Sequence, residues 1–311
     1  MAPDTALVFP GMGPVPFAEV GRFMVASPYA RDLVALADET LGYSLVDAFR
    51  RSEDVYSEAA QVAFLVNCLA CAHWAHDHLD VTPGIVAGPS FGEKAVLAHT
   101  GALDLPDAIR LTAEIARCLE EYFAAEHRDI VTLSFARAPR EGLDALLAEL
   151  DAAGEWHEFS CHIDDGFHMV SLSERREEWL RDGLRAIGSL PLYTMRPPLH
   201  ASVFRPLRDK AAREVISRYS FADPGLPVVA DQDGRLLHTG EELRTMLLDS
   251  FDHPMDWPAV TRALKDAGVR RMCVAGPDSL FGRVPCATRT FEIVAAAPRL
   301  AMTPRRRSRA A

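Results

Sequence analysis

Short apolar runs and longer amphipathic runs alternate along the chain. "TALVFPG" predicts a first strand, Ala6 to Phe9, closed by a Pro/Gly turn. Helical stretches follow at 20–42 and at 57–79, the second apolar on nearly every side. A three-residue apolar run, Ile85-Val86-Ala87, predicts a buried strand that feeds a helix from Phe91 to His99. A further helix over 101–126 has Asp104 or Asp107 placed to cap it. Strands alternating with helices over the first 127 residues predict an α/β fold with a parallel sheet.

The rhythm then changes. Strands at 129–136, 156–163, 167–173 and 192–197 enclose helices at 139–151 and 175–188, with a turn at Asp164-Asp165-Gly166. That β-α-β-β-α-β order is ferredoxin-like and predicts a subdomain over 128–197 inserted into a core of 1–127 and 198–311. Beyond it the α/β pattern resumes, with a strand at 227–231, helices at 240–251 and 256–268, and a strand at 270–276.

The junction after Ala87 carries the chemistry. Gly88-Pro89-Ser90-Phe91-Gly92 is G-x-S-x-G, which lifts a serine hydroxyl clear of a sheet on a sharp strand-to-helix turn. Free N–H groups at the start of the following helix suit an oxyanion. Five residues of this kind also occur in plain tight turns, so the motif needs its context.

Composition narrows the classes. At 311 residues and 49% hydrophobic content, the chain is long enough for a sizeable core. No apolar run reaches the roughly 20 residues of a membrane helix, and the N-terminus has no leader pattern. A net charge of −11 argues against nucleic acid or an acidic membrane as partner. The exception is a basic tail with Arg305, Arg306, Arg307 and Arg309. The six scattered cysteines predict reduced thiols and a cytoplasmic address. Cys68 and Cys71 read as two buried helix thiols, and with no second pair no metal site is expected.

Four segments, "LVFPGMGP", "GPSFGEKAVLAHTGALDLPDAIRL", "RPPLHASVFRPL" and "HPMDWPAVTRALKDAGVRRMCVAGPDSLFGRV", resemble in order and spacing the acyltransferase family. That family holds the malonyl-CoA:acyl carrier protein transacylases and the acyltransferases of polyketide synthases. The resemblance spans nearly the whole chain. It implies an α/β-hydrolase-like core with the inserted ferredoxin-like subdomain and an active site in the cleft between them. It also implies Ser90 as nucleophile, His200 as base, and backbone N–H groups of Met12 and Phe91 as oxyanion donors. The histidine would be oriented by a backbone carbonyl near Ser250. Chemistry would be ping-pong, with the acyl group carried on the phosphopantetheine of an acyl carrier protein and no cofactor bound to the enzyme.

Three positions depart from the family pattern. Pro89 replaces a histidine beside the nucleophile, Met12 replaces a glutamine, and Ile115 stands 25 residues after Ser90. Malonyl-specific members carry at that last position the arginine that pairs with the malonyl carboxylate. Arg117 lies two residues on, about 200° round a helix, and is expected to face away. An unpaired carboxylate in an apolar cleft costs several kcal/mol, so a group without one is expected, an uncharged acyl or an aminoacyl group, as in the starter-unit or dipeptidyl transferases of macrolactam pathways. Ile115, Leu199, Pro89 and Gln61, with Phe91 and Met12, would line its pocket. Malonyl transfer and carrier hydrolysis are the rival activities. A dead carrier-docking module is the non-enzymatic rival, opposed by the intact Ser90, Gly88, Gly92 and His200. Because carrier proteins are acidic and so is this chain, Arg205, Arg208, Arg283, Arg289 and Arg299 are the candidate docking cations.

Overall fold

The computed structural model describes residues 4–303, so the arginines of the basic tail lie outside the described residues. Among these, eleven strands form two sheets: β1 (Thr5–Val8), β2 (Ile85–Ala87), β3 (Ile130–Ala136), β4 (His157–Asp164), β5 (Phe167–Ser173), β6 (Leu190–Met195), β7 (Val228–Val229), β8 (Leu236–Leu237), β9 (Met255–Asp256), β10 (Arg271–Ala275) and β11 (Glu292–Ala296).

The larger sheet runs β11-β10-β1-β2-β7-β8 and is parallel except at the β7–β8 edge. Its central strands are buried on both faces, which is why β1 and β2 read as continuous apolar runs rather than alternating ones. The helix Glu58–Leu79 is buried on every side from Ala59 to Ala72 and runs through the core. Cys68 and Cys71 lie on it, and burial pushes both thiols well up from the usual range.

The predicted helix over 20–42 is two helices, Phe17–Ala26 and Pro28–Leu41. Pro28 has no N–H to continue the first and instead occupies the first turn of the second, where none is needed. Helices Leu45–Arg51 and Arg205–Glu214 and strands β8, β9 and β11 were not signalled by the apolar pattern.

The smaller sheet runs β6-β3-β5-β4-β9. Its first four strands are antiparallel, and helices Arg140–Ala152 and Glu177–Ala186 pack on one face. Leu143, Leu147, Leu180 and Leu184 meet Val131, Leu133, Phe135 and Val170 there. On the other face Cys161 and Met169 join the core cluster around Trp257. The fifth strand, β9, comes from the core segment and pairs in parallel with β4 (Cys161 opposite Met255).

Candidate active site

Ser90 sits between β2 and the helix Gly92–His99 at φ +54°, the left-handed region that a residue with a Cβ enters only under constraint. The two glycines have steric reasons. A Cβ on Gly92 would lie 2.1 Å from the Phe9 carbonyl oxygen, and one on Gly88 2.5 Å from the Gly92 backbone. The turn is pinned from the turn that follows β7: the Ser90 N–H donates to Asp231 Oδ2 at 2.6 Å. Asp231 is buried beside Glu93. Burial and the Asp231 charge push Glu93 well up, so it holds its proton, and burial raises Asp231 to about 6. Gln232 Nε2 donates to Glu93 from the other side at 3.2 Å.

Ser90 Oγ lies 2.8 Å from His200 Nε2. His200 is also left-handed, at φ +62°, and is held twice. Its backbone N–H donates to the Phe251 carbonyl at 3.0 Å, and its Nδ1 faces the His253 carbonyl at 3.3 Å. The orienting carbonyl is therefore that of His253, not one at Ser250. The helix Gly240–Asp252 continues past Ser250, and only its C-terminal cap, His253, turns a carbonyl toward the ring. Ser250 Oγ instead donates to Leu247. Burial pushes the His200 imidazole down to about 4, against the His253 contact; the Lys94 ammonium adds to the fall. The ring is thus neutral at pH 7, with Nδ1 carrying the proton toward His253 and Nε2 free to accept one from Ser90.

The cleft beside Ser90 is walled by Met12, Phe91, Ile115 and Leu119 from the core, by Leu199 from the segment before His200, and by Met195 from the end of β6. Gln61 lines it too, with its Nε2 donating to the Tyr56 carbonyl at 2.9 Å. Pro89 does not line it. It is buried on the far side of the turn, where its carbonyl accepts the Gly92 N–H. The Met12 and Phe91 N–H groups donate to no carbonyl among the described residues. Ile115 is buried against the cleft, whereas Arg117 on the same helix points outward to Glu58, 2.8 Å away. A separate open groove lies along Asp129, Glu155, Trp156 and Glu174, and none of the residues singled out from the sequence lines it.

The five arginines separate into two groups. Arg208 is mostly buried and spends its guanidinium on Asp249 and Asp252, at 3.0 and 3.3 Å. Arg205 reaches the same fully buried Asp252 at 2.5 Å. These two brace the residue preceding His253, so Arg208 is not a free docking cation and Arg205 is only half one. Arg283, Arg289 and Arg299 are exposed and have no ion pair among the described residues.

Sequence reasoning missed Glu93, Asp231, His253 and Lys94. Lys94 lines the cleft, is 9% exposed, and places Nζ 4.3 Å from the centre of the Phe91 ring. The available signal was a lysine in the first turn of the helix that follows the elbow, close in the chain to Ser90.

Comparison with known proteins gives one consistent answer. A family model for the VinK acyltransferase small domain matches residues 134–195. A malonyl CoA-acyl carrier protein transacylase of Escherichia coli O157:H7 is 26% identical over 286 residues, covering 89% of this chain and 90% of that protein. The polyketide biosynthesis protein ThaF of Burkholderia thailandensis is 28% identical over 299 residues, covering 89% of this chain and 23% of the much longer ThaF. Among solved structures, the PlMCAT:AntF complex of a malonyl-transacylase with a type II polyketide acyl-carrier protein superposes with a TM-score of 0.81 at 24% identity, over 94% of this chain and 95% of that one. FabD from Acinetobacter baumannii gives 0.80 at 20%, over 96% and 94%. At such identities the structures speak for the fold, and the sequence relatives carry the rest. Over most of its length the chain is thus similar to malonyl CoA-acyl carrier protein transacylases and to proteins of polyketide biosynthesis, and its smaller sheet matches the small domain of an acyltransferase.

Proposed function

We propose that this enzyme moves a non-malonyl acyl group, aminoacyl or dipeptidyl, from a thioester donor through acyl-Ser90 to the phosphopantetheine thiol of an acyl carrier protein in polyketide biosynthesis. The Ser90 hydroxyl attacks the thioester carbonyl while His200 Nε2 takes its proton. The oxyanion is received by the Met12 and Phe91 N–H groups. The C–S bond breaks, the imidazolium returns the proton to the leaving thiolate, and an ester on Ser90 remains. The acceptor thiol reverses these steps, giving its proton to His200 as it attacks the ester.

The observation that carries the acyl preference is the outward course of Arg117 to Glu58 with Ile115 at the cleft. Malonyl transfer is the second reading, favoured by the activity named for the relatives in E. coli. Intact-protein mass spectrometry after incubation with a panel of carrier-bound acyl groups separates the two. A mass gain of an acyl group that bears no carboxylate, with little malonyl adduct, supports the proposal, and ready malonyl loading refutes it. Release of free acid without an acceptor would make the enzyme a hydrolase.

The pH profile of acylation follows from His200. Its base form is neutral, and that form persists down to about pH 4. The rate constant for acylation by a donor without ionising groups is therefore expected to hold between pH 5 and 7 and fall only toward pH 4. A limb near 6.5, the ordinary histidine value, would show that the imidazole is not desolvated during turnover.

Carrier docking is expected to use the exposed arginines. Arg299→Glu should weaken transfer to a carrier protein by about threefold to tenfold, less at high salt, because exposed charges act weakly and are screened. Transfer to free pantetheine should be unaffected. Equal losses with both acceptors would exclude Arg299 from docking.

A further inference from the structure

Lys94 is a charged side chain built into a cleft whose walls are mostly apolar. It is about nine-tenths buried, it lines the same cavity as Ser90, His200 and Ile115, and its ammonium has no carboxylate or carbonyl partner among the described residues. What it has is the face of Phe91, 4.3 Å away. A ring face offsets part of the desolvation of an ammonium but satisfies none of its hydrogens geometrically. Glu93, next to it in sequence, is turned to Asp231 and Gln232 and is held protonated. The local carboxyl thus supplies little countercharge, and burial brings the lysine down to about 8, leaving it charged at pH 7. An ammonium that lines a cavity without a carboxylate or carbonyl beside it is placed to donate to whatever fills the cleft.

We infer that Lys94 is a specificity-determining residue that donates a hydrogen bond to an acceptor oxygen on the acyl group, beyond the thioester carbonyl. Ser90, just before the helix Gly92–His99, and Lys94, in its first turn, line the same cavity, so the contact lies along an acyl chain held on the hydroxyl. The inference rests on the proposed acyl transfer. Within that reading the partner oxygen is a neutral carbonyl, such as the internal amide of a dipeptidyl group, because Ile115, Leu119, Leu199 and Met12 form apolar walls of the same cavity. A carboxylate oxygen is the same chemistry from another donor. A free acyl ammonium beside Lys94 is opposed.

The test compares three pantetheine thioesters. 3-Acetamidopropanoyl carries an amide carbonyl, 5-methylhexanoyl is its hydrocarbon isostere, and malonyl carries a carboxylate. The readout is the ratio of kcat/KM for acylation between donors. In the wild type the amide donor should exceed the isostere by about 10- to 100-fold, the range of a hydrogen bond from a charged donor. Lys94→Met keeps the apolar stem over Phe91 and should collapse that ratio toward one. Lys94→Arg should restore a good part of it. A ratio that is unchanged in Lys94→Met, or already near one in the wild type, overturns the inference. Malonyl as the best wild-type donor, with its advantage lost in Lys94→Met, would uphold Lys94 as the acceptor-oxygen contact and refute the non-malonyl reading. Thermal unfolding of each variant checks that a lost ratio is not a lost fold.

Discussion

Ser90→Ala is expected to give no acyl adduct by intact mass and to lower transfer by about four orders of magnitude or more, as removing a nucleophile does in serine enzymes. The reason is specific to this site. Ser90 Oγ lies 2.8 Å from a buried, neutral imidazole at the cleft, and the helix thiols Cys68 and Cys71 are buried with raised pKa values. The fold should survive, because alanine meets the same left-handed backbone that serine already tolerates and the Ser90 N–H to Asp231 contact is a main-chain one. His200→Ala should slow acylation by about 100- to 10,000-fold, the usual contribution of a positioned base. Its loss should still leave the slowly formed adduct detectable. Turnover that persists in Ser90→Ala would remove the covalent mechanism altogether.

Ile115→Arg is expected to shift donor preference toward malonyl by about 100-fold relative to a neutral acyl group. In the wild type a malonyl carboxylate meets Ile115, Leu119 and Leu199 on one side of the cleft. A guanidinium at 115 would supply bidentate donors for it, and the guanidinium itself would be an uncompensated buried charge until the carboxylate arrives. The variant should accordingly unfold at a lower temperature than the wild type, with malonyl loading restoring part of the difference. Lys94 sharpens the effect, since a second cation in the same cavity repels the first when no anion lies between them. If malonyl preference does not rise while the protein remains folded, Ile115 does not face the distal end of the acyl group.

The sequence carried those features whose cause is local. Strands β1 and β2 were legible because strands buried on both faces of a parallel sheet are apolar without interruption. The elbow was legible because two close backbone approaches, Gly88 to Gly92 within the turn and Gly92 to the Phe9 carbonyl beside it, each leave a glycine in the motif. The helix Arg205–Glu214 was not. It buries only Leu207 and Ala211 and spends the rest of its surface on charges, so its apolar stripe is too thin to register. β9 is two residues long and exists only because β4 is there to pair with. In the site, Ser90 and His200 were named from motifs, but their supports come from 231 and 253. A hydrogen bond across 141 residues, such as Ser90 to Asp231, leaves no periodicity behind. The carbonyl expected near Ser250 was misplaced by three residues because the end of the helix, set by its cap at His253, fixes which carbonyl turns outward. Arg208 was misassigned for a related reason. Its buried partner Asp252 is on another element, and a guanidinium committed to a carboxylate is indistinguishable from a free one in sequence.

The pairing of β9 with β4 ties the machinery together mechanically. His253 offers its carbonyl to the catalytic-site imidazole, and two residues later the same strand of backbone is sewn into the sheet of the inserted subdomain. Glu158 on β4 meanwhile accepts from the N–H and hydroxyl of Ser202, two residues after His200. Both ends of the histidine's support are therefore keyed to one strand across the cleft. The two halves of the molecule work as a mortised joint rather than as jaws. The width of the gap beside Ser90 and the geometry of its proton transfer are thus set by contacts to the same strand, β4.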